Sequence, residues 1–427
     1  MKGSQLKLFR LLLPALMLVL VSTDLLAQRT EITTELEADR ASRTVKVSVP
    51  FPSLGPGITP DDVHRDFFTP LTADLAFSRI VTIVPLPPGR ERGYEVAREV
   101  GAQALLQLDV TRSGSTYAIE ARLLDTSNGS ILLGKRYRGE SSALRLMAHT
   151  LANDVITYFN GRPGIFLSRI AFISNRTGSN EVWIMDYDGS NQRQITAEHA
   201  LTLTPDWSPD GERLVYTSFQ RGYSDLYIAL RRGGGRVRIR TGVNLNTSPA
   251  FSPDGKQIAF VGAVEGNTDI YVINDDGSSL RRLTTGSSIE STPAWNPTGR
   301  QIAFTSSRAG NPQIYVMDAE GTNVRRISFD GNWNDDAVFS PDGSLLAYTS
   351  LVSGRYQIRL VNLTTGESRV IAGAGSNEQP SWAPDSKSLV FMSNRSGRWQ
   401  VYRIGLDERD PIQLTFEGAN SSPAWSP

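Results

Sequence analysis

Residues 204–211 read Thr-Pro-Asp-Trp-Ser-Pro-Asp-Gly, and this stretch returns at a near-constant interval along the chain. It recurs closely at 248–255 and, with more changes, at 292–299, 336–343, 379–386 and 422–427. Its aromatic residue falls at Trp207, Phe251, Trp295, Phe339, Trp382 and Trp425. A period in the low forties is typical of the four-stranded blades of a β-propeller.

One repeat by itself predicts four strands. The Ser-Pro-Asp-Gly sequence of 208–211 suits a type I turn, with proline at its second position and glycine at its fourth. A strand therefore ends at the aromatic residue, and an alternating apolar strand such as 258–260 follows the turn. A third strand such as 269–272 and a hairpin turn at Asp276-Gly277 lead to the fourth.

The count of repeats predicts six blades closed by the end of the chain. Second, third and fourth strands occur six times, but no Pro-Asp-Gly turn precedes the first set, which begins at 169–173. The unmatched innermost strand lies at 421–425. We expect it to pair with 170–174, because this completes the first blade and removes two open sheet edges. Residues 163–427 have the length that six blades need.

Composition and the N-terminal leader favour an exported protein and do not favour one that binds nucleic acid. The 427 residues carry 44 Lys and Arg against 44 Asp and Glu, with no cysteine. This balance does not favour a nucleic-acid-binding protein. Lys2, Lys7 and Arg10 precede the apolar segment 11–21, which is the layout of a secretory signal peptide. That segment is too short to span a bilayer, so we expect residues 1–27 to be removed and no membrane span to remain; a retained anchor is the weaker alternative.

The region before the repeats predicts a flexible segment and a small domain. Residues 28–44 are polar and nearly lack large apolar side chains, as flexible termini do. Residues 45–162 alternate strands and helices and predict a small α/β domain that ends in a one-sided apolar helix. An earlier helix begins at Pro60, and we expect Pro70 to kink it or to restart it with Thr69 as a second cap. Residues 163–427 form the all-β propeller.

Residues that carry catalysis or bind metals are sparse. No Gly-x-Ser-x-Gly nucleophile elbow occurs. His64 is expected on a helix surface, His199 is the one histidine of the repeats, and His149 lies beside an apolar helix face, where a structural role is the favoured interpretation. The stretches 186–189 and 274–277 resemble calcium loops but lack the bidentate glutamate, so we interpret them as hairpin turns. The sequence predicts no catalytic residue, metal or cofactor.

One surface feature recurs, since the turn after the second strand contains an arginine in four of the six blades. Equivalent positions place the four guanidinium groups on one face, where they either bind carboxylates of a partner or are solvated turn residues. The loops that enter the innermost strands belong to the same face. The residues that we expect to bind a partner there are Arg176, Arg221, Leu245, Asn246, Ser248, Glu290, Ser291, Arg308, Asn334, Asn377, Arg395 and Ser421.

Taken together, the chain resembles the TolB family. The resemblance covers a leader, a small α/β domain and a six-bladed propeller closed by Pro-Ala-Trp-Ser-Pro, and its more specific matches are 58–62, 148–161 and 168–172. It implies a monomeric, non-enzymatic, periplasmic component of the Tol–Pal system, which maintains outer-membrane integrity and constriction at cell division.

The resemblance also implies two partners. The propeller face would bind Pal, the peptidoglycan-associated lipoprotein, and the N-terminal segment would bind TolA. The residues on which the TolA contact would fall are Gln28, Arg29, Thr30, Glu31 and Ile32. The segment is more acidic than the family pattern, and Pro70 falls within a helix that the pattern would keep continuous. The alternative function is that of a secreted propeller enzyme or an enzyme-associated sensor domain.

Overall fold

The computed structural model describes residues 44–89, 93–264, 266–371 and 373–427. They form two compact units that divide between Gly164 and Ile165. The predicted leader and the predicted TolA-binding residues 28–32 lie outside the described residues. Within the described part of the chain, no helix is both long and apolar enough to cross a membrane.

The first unit is built on one mixed sheet, which agrees with the predicted α/β domain. The strands are β1 (Val45–Ser48), β2 (Ser53–Leu54), β3 (Val81–Ile83), β4 (Ala104–Ser113), β5 (Thr116–Asp125) and β6 (Ile131–Glu140). Their order is β3-β1-β4-β5-β6, with β2 beside β4. β1 is parallel to β3 and β4, whereas β4, β5 and β6 form an antiparallel meander.

The helices of this unit are α1 (Pro60–Val63), α2 (Thr69–Phe77), α3 (Tyr94–Glu99) and α4 (Leu144–Asn160), the last preceded by a 3₁₀ turn at Ser141–Ala143. A π-helical turn, His64–Phe68, joins α1 to α2, so the backbone stays helical across Pro70. The α-helix thus resumes at Thr69, as one of the two predicted alternatives has it, but the predicted capping by Thr69 is wrong. The Thr69 N–H bonds to the His64 carbonyl within the wider turn, which accommodates the proline ring, and the Thr69 side chain caps nothing.

His149 has the structural role that the sequence favoured. Its side chain and that of Asp74 are both buried, and His149 Nδ1 lies 2.6 Å from Asp74 Oδ2. The pair joins α4 to α2 in the interior of the first unit, where a hydrogen bond to an ionisable partner satisfies two groups that are costly to bury alone.

The second unit is the predicted six-bladed propeller. Blades 2 to 6 each consist of four consecutive antiparallel strands, ordered from the channel outward. The strands are β10 (Thr202–Trp207), β11 (Arg213–Ser218), β12 (Asp225–Leu230) and β13 (Arg236–Ile239) in blade 2; β14 (Leu245–Phe251), β15 (Gln257–Val264), β16 (Asn267–Asn274) and β17 (Arg281–Arg282) in blade 3; β18 (Glu290–Trp295), β19 (Gln301–Ser306), β20 (Gln313–Asp318) and β21 (Arg325–Arg326) in blade 4; β22 (Asn334–Phe339), β23 (Leu345–Val352), β24 (Arg355–Asn362) and β25 (Ser368–Val370) in blade 5; and β26 (Asn377–Trp382), β27 (Ser388–Ser393), β28 (Gln400–Gly405) and β29 (Ile412–Gln413) in blade 6.

Blade 1 closes the ring as predicted. It consists of β30 (Asn420–Trp425), β7 (Arg169–Ser174), β8 (Glu181–Asp186) and β9 (Arg193–Gln194), with β30 innermost. β30 is antiparallel to β7, and Trp425 lies opposite Ile170. The Trp425 indole N–H donates to Ser168 Oγ at 2.8 Å. The first and last segments of the propeller therefore share one sheet.

The aromatic residue of each repeat packs between blades. Phe251 of blade 3, for example, is buried against Leu226 and Ile228 of blade 2. The indole N–H groups add a directional contact, since Trp207, Trp295 and Trp382 each donate to a carbonyl of the preceding inner strand at 3.0–3.2 Å. A buried indole needs such a partner, and finding it on the neighbouring blade fixes the spacing between blades.

Candidate functional site

The two ends of each blade carry different connections. Because neighbouring strands are antiparallel, the turn between the second and third strands leaves the same end as the loop that enters the next inner strand. We call this end the loop face, and its six interblade loops are 195–201, 240–244, 283–289, 327–333, 371–376 and 414–419. The Ser-Pro-Asp-Gly turns leave the opposite end, the turn face.

Three of the four predicted arginines bond to their own blade. Arg308 of blade 4 donates to Ser306 Oγ at 2.8 Å and to Glu290 Oε1 at 3.0 Å, and its guanidinium carbon lies 4.9 Å from the centre of the Tyr315 ring. The three contacts come from the second, first and third strands of the blade. Arg308 therefore ties these strands together at the loop face, by an ion pair, a hydrogen bond and a cation–π contact.

The same arrangement recurs in blades 1 and 6. Arg395 donates to Ser393 and Asn377 and lies over Tyr402. Arg176 donates to Ser174, Gln192 and Asn420 and lies 4.5 Å from the Trp183 ring. Burial lowers the pKa of both Arg176 and Arg395. We call Arg176, Arg308 and Arg395 the clasp arginines.

Arg221 of blade 2 differs from the clasp arginines. Its side chain is 47% exposed, and its nearest carboxylate, Asp225, is 3.9 Å away. Thr202 occupies the inner-strand position that supplies an acceptor to the clasp arginines, and a hydroxyl is a weaker acceptor than the carboxylate of Glu290. Arg221 is thus the predicted arginine whose charge the loop face presents most openly.

We expect Arg308→Ala to destabilise the propeller by about 2 kcal/mol, because it leaves the carboxylate of Glu290, which is 1% exposed, without its cation. The value lies below that of a fully buried pair because the Arg308 side chain is 30% exposed. Urea unfolding measures the change. Arg221→Ala is the matched control and should stay within about 0.5 kcal/mol of the parent. Equal losses in both variants would contradict the role of the clasp.

Several of the residues predicted to bind a partner are buried, and their part in binding stays a prediction. Asn246, Glu290, Asn334 and Asn377 are each at most 2% exposed. The three asparagines each begin, or nearly begin, an inner strand and bond to the preceding blade. Asn334 Nδ2, for instance, donates to Gln313 Oε1 at 2.9 Å and to the Asp330 carbonyl. These buried side chains therefore hold the interblade loops in place by hydrogen bonds.

The other predicted residues lie nearer the channel. Leu245, Ser291 and Ser421 are half-buried in their inner strands, and Ser248 lines the channel. The bracing by asparagine could have been found in the sequence, since an asparagine stands five residues before the aromatic residue in four repeats. The bond partners could not, because they lie on a different blade.

The six inner strands surround a channel with a cavity of about 590 Å³. Each strand bulges where it faces this channel, and the residue at the bulge has a φ between 45° and 55°. These residues are Thr204, Ser248, Thr292, Asp336, Gln379 and Ser422. A proline follows in five of the six repeats and disfavours the right-handed helical conformation before it. The β-branched Thr204 and Thr292 are strained there.

Asp206 and Asp336 line the channel, and Asp335 and Glu378 lie beside it in the inner strands of blades 5 and 6. Burial raises the pKa of Asp206 to about 6, even though the Phe251 N–H donates to it at 2.8 Å. Burial also raises the pKa of Asp336 well above its usual value, and the nearby carboxylates of Asp335 and Glu378 raise it further. The pKa of Glu378 is raised by burial and by Asp335. The wall is most acidic in blades 5 and 6.

Side chains suited to metal binding do not converge in the described residues: no group of three or more His, Asp or Glu side chains there could hold an ion. The stretches at 186–189 and 274–277 form hairpin turns, closed by Gly189 N–H to the Asp186 carbonyl and by Gly277 N–H to the Asn274 carbonyl, both at 2.9 Å.

Residues 157–427 match the family model described as TolB beta propeller domain. The chain is 40% identical over 122 residues to the Tol-Pal system protein TolB of Desulfosudis oleivorans, covering 29% of this chain and 28% of the relative. It is 34% identical over 196 residues to that of Actinobacillus succinogenes, covering 43% and 44%. The chain thus spans less than half the length of the curated relatives it matches.

The crystal structure of TolB from Acinetobacter baumannii shows the same fold. The TM-score is 0.76, with 24% sequence identity, and the match covers 90% of this chain and 97% of that one. The family model covers more than half of the chain, including every blade described above. The protein therefore belongs to the TolB family.

Proposed function

We propose that this protein is a non-enzymatic, periplasmic binding component of the Tol–Pal system. Its loop face would bind a Pal-like lipoprotein, and residues 28–32 would bind a TolA-like protein after cleavage of the leader at Ala27. In this role it would maintain outer-membrane integrity and support constriction during division. Membership of the TolB family, whose curated relatives carry the name Tol-Pal system protein, supports the proposal.

The observation that carries a binding function is the set of internal hydrogen bonds that brace the loop face. The clasp arginines tie strands within blades, and asparagines such as Asn334 and Asn377 bond the start of their inner strands to the blade before. A surface held by internal bonds loses little conformational freedom when a partner docks, so more of the contact free energy is retained as affinity. Such a surface suits repeated, specific protein–protein binding.

The proposal is tested by titration calorimetry of the mature chain, beginning at Gln28, against the Pal and TolA homologues purified from the same organism. We expect both to bind. Replacing residues 28–32 by a Gly-Ser segment of equal length should abolish TolA binding and leave Pal binding unchanged, because the proposal assigns the two partners to different parts of the chain. Failure of the parent to bind either protein would contradict the proposed function. Loss of both interactions in the variant would contradict the assignment of partners to sites.

A further inference from the structure

Large apolar side chains are exposed on the loop face, although the sequence analysis singled out polar residues there. Five of these side chains belong to the interblade loops, and Tyr223 belongs to the turn between the second and third strands of blade 2. In order along the chain they are Leu201 (45% exposed), Tyr223 (46%), Ile289 (61%), Phe329 (76%), Trp333 (41%) and Phe416 (73%). Exposed apolar side chains that cluster on one face indicate an interaction surface, whereas scattered ones are ordinary.

These side chains are distributed unevenly around the channel. The equivalent position in each blade is the one six residues before the aromatic residue of the repeat. It holds Leu201, Leu245, Ile289 and Trp333 in blades 2 to 5, but Ser376 and Ala419 in blades 6 and 1. Backbone bonds fix this position. The carbonyls of Leu201, Ile289 and Trp333 accept N–H groups of the adjacent second strand or its turn at 2.8–3.0 Å. Leu245 is half-buried against the core, and we call the exposed residues Leu201, Ile289, Phe329 and Trp333 the apolar arc.

Carboxylates lie on the channel side of the apolar arc, whereas away from the channel the Arg326 guanidinium carbon lies 5.4 Å from the centre of the Phe329 ring. Asp335 and Glu378 are half-buried near the start of the inner strands of blades 5 and 6, and Asp336 follows Asp335. Among the residues that the structure describes, none of these three carboxylates forms a salt bridge with a lysine or arginine. The clasp arginines on the same face already bond within their blades, and Glu290 neutralises Arg308.

We propose that the loop face docks a folded protein through the apolar arc, with a lysine or arginine of that protein placed beside Asp335 and Glu378. The inference rests on the proposed function and specifies the chemistry of the Pal-like partner: an apolar patch bordered by a basic side chain. It replaces the expectation that carboxylates of the partner meet the clasp arginines. A partner cation would supply the counter-charge that these channel carboxylates lack.

Charge and shape disfavour other occupants of this face. A second copy of the chain, docked loop face to loop face, would bring two acidic channel mouths together, and like charges that face each other across an interface are costly. An anionic membrane surface would meet the same repulsion. A partner with complementary charge avoids both penalties and would be steered toward the channel mouth.

The test uses titration calorimetry of the full mature chain with the Pal homologue of the same organism. We expect the double variant Ile289→Ser, Phe329→Ser to raise the Kd at least tenfold, as loss of buried apolar anchors does. The matched control is Val237→Ser, Ile412→Ser, which changes two exposed apolar residues on the outer strands β13 and β29 and should bind as the parent does. Asp335→Asn, Glu378→Gln should weaken binding most at low salt.

The outcomes separate this inference from the proposed function. If the parent binds and the arc variant binds equally well, the apolar arc is not the docking surface, while the proposed function stands. If the carboxylate variant binds more tightly than the parent, the basic character assigned to the partner is wrong. Absence of binding by the parent overturns both. Unchanged melting temperatures in the arc and control variants show that their differences in binding arise at the surface.

Discussion

Deleting residues 419–427 should abolish the cooperative unfolding transition of the propeller rather than shorten the protein slightly. The deletion removes β30, so β7 loses its inner partner and blade 1 loses its contact with the channel. It also removes Trp425, which is buried, and loss of one buried aromatic side chain costs about 3–5 kcal/mol. That cost, with the lost strand pairing added, is comparable with the total stability of many domains.

Circular dichroism during thermal unfolding measures this effect. Trp425→Phe is the matched control, since it keeps the strand and most of the apolar contact but loses the 2.8 Å bond to Ser168. We expect that variant to unfold cooperatively with a loss of about 1–2 kcal/mol. A deletion variant that stays monomeric and melts at the parent temperature would contradict closure by β30.

The second large effect concerns pH. Asp336→Asn should stabilise the propeller at pH 8, and the gain should shrink as the pH falls. A carboxyl group whose pKa is raised in the folded state stabilises the fold while it is protonated, at a pH below its unfolded pKa. This contribution is lost as the pH rises through the folded pKa, so the parent is destabilised at pH 8 relative to a variant with a neutral side chain. Asparagine stays neutral at every pH and also tolerates the left-handed backbone, φ 55°, that Asp336 adopts.

Asp206 gives the scale of this effect. Its pKa of about 6, against an ordinary 3.8, corresponds to roughly 3 kcal/mol of destabilisation at pH 8 relative to a neutral group. Urea unfolding of parent and Asp336→Asn at pH 5 and pH 8 measures the difference. Asp276→Asn is a control of opposite sign, because hydrogen bonds from Ser278 lower the pKa of Asp276. A gain for Asp336→Asn that is equal at both pH values would contradict the electrostatic cause.

The sequence was sufficient to predict the architecture because the repeat encodes each blade locally. The type I turn at 208–211 and its counterparts mark where the inner strands of blades 2 to 6 end, and the aromatic residue before the turn marks the packing between blades. The inner strand missing from the first repeat predicted closure by β30. These signals depend on neighbours in the chain, so periodicity reveals them.

The loop face was harder to predict because its contacts cross between strands and blades. The sequence shows an arginine at Arg308, but not that Glu290, 18 residues earlier, becomes its partner. Burial of Asn334 and exposure of Phe329 invert what side-chain polarity predicts, since loop geometry and not polarity decides which of them faces water. The bulge at Thr292 likewise breaks the two-residue alternation on which strand prediction depends.

The pairing of β30 with β7 also has a consequence for the order of folding. Trp425 and Ser168 are 257 residues apart in the chain, so blade 1 cannot form its sheet until nearly all of the propeller segment is available. Contacts between such distant residues are slow to form, because the entropy of closing the intervening loop is lost before the contacts stabilise the structure. Until then, blades 2 to 6 can assemble only as an open arc with an uncovered blade at each end. In the propeller unit alone, Ile165–Pro427, joining its two ends and moving the termini to the 240–244 loop by circular permutation would place β30 and β7 within one continuous segment and transfer the late step to another pair of blades.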